Sequence, residues 1–320
     1  MSIRIKDFLE ELKSYLKLDP LTEKQIIKEL STYFQDKMEE FKGKGLSENE
    51  AIRAAIESFG RARNIAKLAY QAHSSGSFTD ALLAALPHFL AAGLFASHLW
   101  QNFGVLMGML IVFVMVTLFG WWIGRPRWIY TWIGYSLSPS VIGTYLMIPI
   151  FNSTISELAH QDVSMQKIWI ALGIFLFFVF TVWIFIYTII RVIRRDWILV
   201  TLMLVHLPII GGWLLTLEQK GGLLNADLAV LHFANVPMAI TLLVLGLASA
   251  SFIRLRSRPM KVGALMIIGP IALSLFVYAV IGYPGMLRLL GVSLLMLIFL
   301  LAPALLDMWL TRFFRNRKAW

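Results

Sequence analysis

Residues 103–127 read FGVLMGMLIVFVMVTLFGWWIGRPR, an uncharged run that ends abruptly in a glycine and two arginines around a proline. A helix rises about 1.5 Å per residue, so about 20 such residues make about 30 Å, the thickness of one bilayer core. The stretch predicts a membrane-spanning helix with a basic turn at its end. Working outward, similar runs occupy residues 80–100, 128–151, 167–190, 197–217, 228–251, 261–283 and 287–309, which with 103–123 predict eight spans. The composition agrees: 58% of residues are hydrophobic, 15% are charged, the mean hydropathy is +0.71, and the apolar excess lies after residue 77. The expected fold class is all-α. A helical domain of three to four short helices fills residues 1–76, and an eight-helix transmembrane bundle fills residues 77–320. The absence of cysteine excludes disulfide frameworks, thiolate zinc sites and thiol nucleophiles.

The net charge of +10 raises the question of nucleic acid, and its distribution answers it. Residues 1–76 carry thirteen Lys or Arg against twelve Asp or Glu, with the signs interleaved, so no direct nucleic-acid binding is expected. The remainder carries sixteen basic and seven acidic residues, and its basic residues cluster between apolar runs. Arg125 and Arg127, then Arg191, Arg194 and Arg195, then Arg254, Arg256, Arg258 and Lys261, then Arg312, Arg315, Arg317 and Lys318 follow the even-numbered spans. The odd-numbered turns hold only Lys167, Lys220 and Arg288. Basic residues stay on the cytoplasmic side, so this alternation predicts eight crossings with both termini inside. Met1 to Leu18 is charged throughout, so the first span rather than a cleavable leader is the expected targeting signal. Trp100, Trp121, Trp122, Trp128, Trp169, Trp197, Trp213 and Trp309 lie near span ends and read as interfacial anchors.

In the prefix, Ile5, Phe8, Leu9, Leu12 and Leu16 recur at helical spacing. Asp19-Pro20 breaks that helix, and Thr22 with Gln25 predicts a capping box for a second one carrying Ile26, Ile27, Leu30, Phe34, Met38 and Phe41. Ser47 with Glu50 predicts a second box, opening a helix with Ile52, Ala55, Ile56 and Phe59 inward and Gly60 as its stop. A fourth short helix carries Ile65, Ala66, Leu68 and Ala69, and Ser74-Ser75-Gly76-Ser77 reads as a flexible link into the first span.

Gly45-Leu46-Ser47-Glu48-Asn49-Glu50-Ala51, then Phe59-Gly60 and Ile65-Ala66, together with Phe8 to Leu12 and Ile26 to Leu30, resemble the bacterial HAAS signalling domain, also called the permease prefix domain. The resemblance spans most of residues 5–70. It departs at Arg61-Ala62, where the family commonly has Asp-Pro, and at Tyr33, where it often has His. What it implies is a cytoplasmic helical adaptor preceding a permease-like domain in a bacterial cytoplasmic (inner) membrane. The partner so implied is a cytoplasmic protein such as a PadR-type regulator or an ABC-type exporter.

Pro87 and Pro208 lie 121 residues apart, as do the paired arginines 191/194 and 312/315, which suggests a parallel 4+4 internal repeat. The competing explanation is that topology places Arg at inner ends and that Pro is common in membrane helices.

Polar groups at membrane depth are functional candidates. His206 lies nine residues past Trp197, about 14 Å deep by the helical rise. His232 and Asn235 share a face of the sixth span, and Tyr135, Ser138 and Ser140 lie on the third. These six form the candidate intramembrane polar pocket, with interhelical hydrogen bonding as the ordinary alternative. His88 reads as a packed histidine and His98 as an interfacial one. No His-Glu-x-x-His, Walker or Gly-x-Ser-x-Gly motif occurs, so neither an enzyme nor a metal or cofactor site is expected. The expected function is that of a membrane sensor or regulatory protein. The alternative is a permease, or an accessory subunit of an export system, for a small or lipophilic substrate.

Overall fold

The computed structural model describes residues 3–159, 165–219, 232–281 and 285–317, and these are all-α with no strand among them. Helices α1 (Ile3–Tyr15), α2 (Pro20–Gly43), α3 (Glu48–Phe59) and α4 (Ala62–His73) form the prefix. Its core is the helically spaced set Ile5, Leu9, Leu12, Leu16, Ile26, Phe34, Ile52, Ala55, Ala62 and Ala66. Phe34 stacks on Phe59 with ring centroids 4.1 Å apart and meets the edge of Phe8 at 5.3 Å. The box at Ser47 forms, with the Glu50 carboxylate accepting from the backbone N–H and the hydroxyl of Ser47. The box at Thr22 does not: Asp19 caps α2 by accepting from the Thr22 N–H at 3.0 Å. Pro20 is the reason, because its fixed φ suits the first helical position and starts the helix three residues earlier.

The long apolar helices follow: α5 (Phe78–Ala96), a 3-10 turn (Leu99–Gln101), α6 (Phe103–Trp122), α7 (Ile129–Ala159), α8 (Met165–Ile193), α9 (Trp197–Leu204), α10 (Leu207–Gln219), α11 (His232–Arg254), α12 (Arg258–Ile281) and α13 (Met286–Arg317). Seven candidate spans are long and apolar enough to cross a membrane: α5, α6, residues 168–193 of α8, α9 with α10, α11, α12, and residues 286–311 of α13. Helix α7 is not among the seven; Tyr135, Ser136, Ser138, Pro139 and Ser140 dilute its apolar character. Residues 228–231 and 282–283 of the expected spans, with Lys220, Asp227 and Lys318, lie outside the described residues. Large apolar side chains such as Phe175, Phe177, Phe180 and Trp183 of α8 face outward, as a lipid solvent requires.

The expected fifth span is two helices. Pro208 has no N–H for the carbonyl four residues back and its ring crowds that carbonyl, so the helix stops at Leu204 and resumes at Leu207. This broken element is the axis of the bundle, with 72% of its span window buried against none of the window in α8. Around it, α5 packs along α11, α11 along α12, and α7 against α9.

The expected flexible link at residues 74–77 is pinned instead. Ser74 is buried and its hydroxyl donates to the Arg256 carbonyl, the Gly76 N–H donates to the Ile253 carbonyl at 2.9 Å, and Ser77 caps α5 through Asp80. The backbone polar groups of the link find partners on the end of α11, which costs the segment its freedom.

Candidate functional site

Three constellations of polar groups stand out, and each joins elements distant in sequence. The first is at the centre of the bundle. His88 of α5 is fully buried, and buried polar atoms need partners. Its Nδ1 lies 2.9 Å from the Tyr135 hydroxyl of α7 and its Nε2 2.9 Å from the Ser249 hydroxyl of α11. His206, in the break between α9 and α10, lies flat on the Tyr135 ring with centroids 4.1 Å apart and planes 9° apart. The His88 ring meets it edge-on at 6.1 Å. Neither ring nitrogen of His206 makes a hydrogen bond of ordinary geometry; the backbone of Gly134 lies beside the ring. Gly134 permits this contact, because a Cβ there would fall 2.0 Å from the Met203 carbonyl oxygen and 2.7 Å from the His206 ring.

The second constellation lies at the opposite end of α5. Trp100 Nε1 donates to Asn235 Oδ1 at 2.9 Å, and the Asn235 amide nitrogen donates to His98 Nδ1. An indole N–H can only donate, so Asn235 turns its oxygen to Trp100 and its nitrogen to His98, whose Nδ1 must then accept. The His98 and His232 rings stack at 4.2 Å. Trp213 meets Trp100 edge-on at 4.8 Å and keeps a buried, unpartnered Nε1.

The six residues expected to line one pocket therefore separate. His206 and Tyr135 join the central cluster, and His232 and Asn235 join the second. The Ser138 hydroxyl donates to the Tyr135 carbonyl in its own helix, and that of Ser140 donates to the Thr181 carbonyl of α8. Among the expected tryptophan anchors, Trp122, Trp169 and Trp309 are exposed, whereas Trp100, Trp128 and Trp213 are buried in the core. Their ring surfaces are taken up by neighbouring side chains rather than by headgroups.

The third constellation is a seam between prefix and bundle. Arg195 donates to the Leu18 carbonyl at 2.8 Å, while Lys17 donates to the Arg195 carbonyl at 3.1 Å. Arg127 donates to the Ser74 carbonyl, as does the fully buried Lys261 at 2.7 Å. Arg254 donates to the Gly76 carbonyl at 3.2 Å, and the Lys261 ammonium lies 5.0 Å from the Phe252 ring. Asp196, 5% exposed, caps α9 at the Ile198 N–H and pairs with Arg258 at 2.7 Å.

Burial pushes the Asp196 carboxyl above its ordinary range, against the opposing pull of Arg258 and the Ile198 N–H. Its proton is held more tightly in the folded chain than in the unfolded one. From the ordinary value of 3.8 up to the raised folded value, stability therefore falls as pH rises. Asp196→Asn keeps the acceptor for Ile198 and Arg258, and is expected to change stability by no more than about 1 kcal/mol at neutral pH. It should also flatten the profile in that window. Melting curves of both proteins across the window check this, and an unchanged slope rejects it.

His88, expected as a packed histidine, and His98, expected as an interfacial one, carry these sites together with Asp196 and Lys261, none of which stands among the six pocket candidates. His88 was open to the depth arithmetic used for His206, since it lies ten residues into α5, about 15 Å by the helical rise. Asp196 and Lys261 gave no comparable signal, because in sequence they look like ordinary turn charges.

Comparison with curated proteins gives no match, and neither does comparison with solved structures. One family model matches, HAAS, over residues 7–67. The helices α1 to α4 that meet the basic seam are thus a HAAS domain, and no family accounts for the bundle behind it.

Proposed function

We propose that this protein is a polytopic regulatory protein of the bacterial cytoplasmic membrane, in which the HAAS domain couples an eight-span bundle to a cytoplasmic partner. The observation that carries this reading is the seam. Arg127 precedes α7 and Arg195 follows α8, yet both reach the α1–α2 corner of the HAAS domain, at the Lys17 and Leu18 carbonyls, while the turn between α11 and α12 holds the link behind α4 at Ser74 and Gly76. Helices α7 and α8 therefore leave that end and return to it, which supports α7 as the eighth span and a cytoplasmic face at the basic turns. Any shift of α7, α9 or α11 around the central histidines moves groups that hold the HAAS backbone or the link that follows it. A ligand of the bundle acts on the partner only if it favours one of two such arrangements.

Arg127→Ala combined with Arg195→Ala tests the coupling by hydrogen exchange. Amides of α1 and α4 and of α5 and α9 should both exchange at least about tenfold faster, about 1.4 kcal/mol of shared free energy. Faster exchange confined to the HAAS domain rejects the reading. A PadR-type regulator is the class of partner that the domain's resemblance implies, and removal of residues 1–76 should abolish its capture while α5 to α13 stay folded.

One feature favours a permease as second reading: the break at Val205–His206 in the most buried element, with buried polar atoms beside it. Substrate flux in proteoliposomes that is lost in His206→Ala and in Asn235→Ala would favour it over regulation.

A further inference from the structure

At the HAAS-proximal end of α6 the chain turns through two residues of positive φ, Gly124 at 107° and Arg125 at 60°. The Arg125 N–H closes the turn on the Gly120 carbonyl at 2.9 Å. A left-handed arginine is strained by about 1–2 kcal/mol, so something must hold it there. The guanidinium carbon of Arg125 lies 3.9 Å from the centroid of the Trp121 ring, and that of Arg191, from the end of α8, lies 5.1 Å from the same ring. Two like charges thus converge on one indole. Neither has a carboxylate partner among the described residues. Burial, and next the charge of Arg191, lower Arg125 from its ordinary range. Arg191 is exposed, so the pair is open to a ligand.

We propose that Arg125 and Arg191, set by Trp121, form a binding site for a phosphate anion, supplied by the headgroup of an anionic phospholipid. The chemistry fits. Guanidinium forks bind phosphate through two parallel N–H donors, and a dianionic or monoanionic oxygen cluster removes the repulsion between the two cations. The place fits as well, because a basic pocket between span ends sits at headgroup depth. The charge of Arg195 reaches Arg125, and Arg195 also holds the Leu18 carbonyl. An occupied site therefore abuts the seam where α1 passes into α2. The proposal rests on bilayer embedding and not on the regulatory reading, so either can fail alone.

The test uses the full chain, stripped of lipid in an uncharged maltoside detergent, with the melting midpoint as readout. The probes are short-chain phosphatidylglycerol, the matching uncharged diacylglycerol, and inorganic phosphate. Phosphatidylglycerol should raise the midpoint with the logarithm of its concentration, and the diacylglycerol should not. Arg191→Gln should weaken the apparent affinity about tenfold, as loss of a charged hydrogen bond does. Arg125→Gly, freed of its backbone strain, should melt no lower than the parent without lipid and should lose the response. An equal rise with inorganic phosphate supports the site with the free ion as its source. A rise with diacylglycerol, or a phosphatidylglycerol response that survives in both variants, overturns it.

Discussion

Replacing His88 with alanine is expected to lower the unfolding free energy by about 3–5 kcal/mol, the range for emptying a large buried site. The imidazole is fully buried and its loss opens a cavity between α5, α7 and α11 that a packed bundle closes only in part. It also leaves the Tyr135 and Ser249 hydroxyls without the partners they hold at 2.9 Å, at about 1–3 kcal/mol for each unsatisfied group. The second histidine of the cluster behaves in the opposite way. His206→Phe keeps a flat ring on Tyr135 and removes two ring nitrogens that make no ordinary hydrogen bond, so the change should stay within about 1 kcal/mol or stabilise. Equilibrium unfolding in mixed micelles measures both. Equal losses in the two variants would mean that the His206 nitrogens are satisfied in the folded protein, and the asymmetry argued here would be wrong.

Gly134→Val is expected to be at least as damaging, at about 3 kcal/mol or more, because overpacking of 1–3 kcal/mol is typical where side chains can yield and here backbone must move. A Cβ at this position would lie 2.0 Å from the Met203 carbonyl oxygen and 3.0 Å from its carbonyl carbon. Neither atom can rotate away, so α7 must separate from α9, and the Tyr135–His206 stack opens with it. Gly143, nine residues on in the same helix, has no atom within 4 Å of its Cβ position. Gly143→Val is therefore the control, at about the small cost or gain of a substitution into open space. A fold that accepts Gly134→Val as readily as Gly143→Val would place α7 further from α9 than the structure does.

The helices were legible wherever one local rule sufficed. Unbroken apolar runs gave α5, α6, α8, α11 and α12 to within a few residues, since a chain in lipid must satisfy its own backbone and does so as a helix, and α13 runs eight residues past its apolar run. The prefix was legible through its 3.6-residue spacing and the Ser47–Glu50 box. Where two local rules competed, sequence alone was less reliable. Thr22 was the expected cap and Asp19-Pro20 only a breaker, but Pro20 takes the first helical position and leaves Asp19 as the cap. Pro208 stands in an apolar run long enough for one unbroken span, and nothing local says that the helix stops and restarts around His206. The candidate site was legible only in part, because depth along a helix is a one-dimensional quantity. It placed His206 at the middle of the membrane, but it could not say that Tyr135 would be its neighbour and Asn235 would not.

By itself the sequence determined the class, the two-part organisation, the HAAS prefix and the rhythm of apolar runs and basic turns, because each follows from hydrophobicity and spacing within about 20 residues. Tertiary structure alone decided that Lys261 and Asp196 are buried, that Ser74 to Ser77 are clamped, and that His88 bridges Tyr135 and Ser249. These contacts join groups between 47 and 187 positions apart. A turn arginine that donates to a distant carbonyl carries the same local signature as one in water, and only the packing of α5, α7, α9 and α11 against the seam tells them apart.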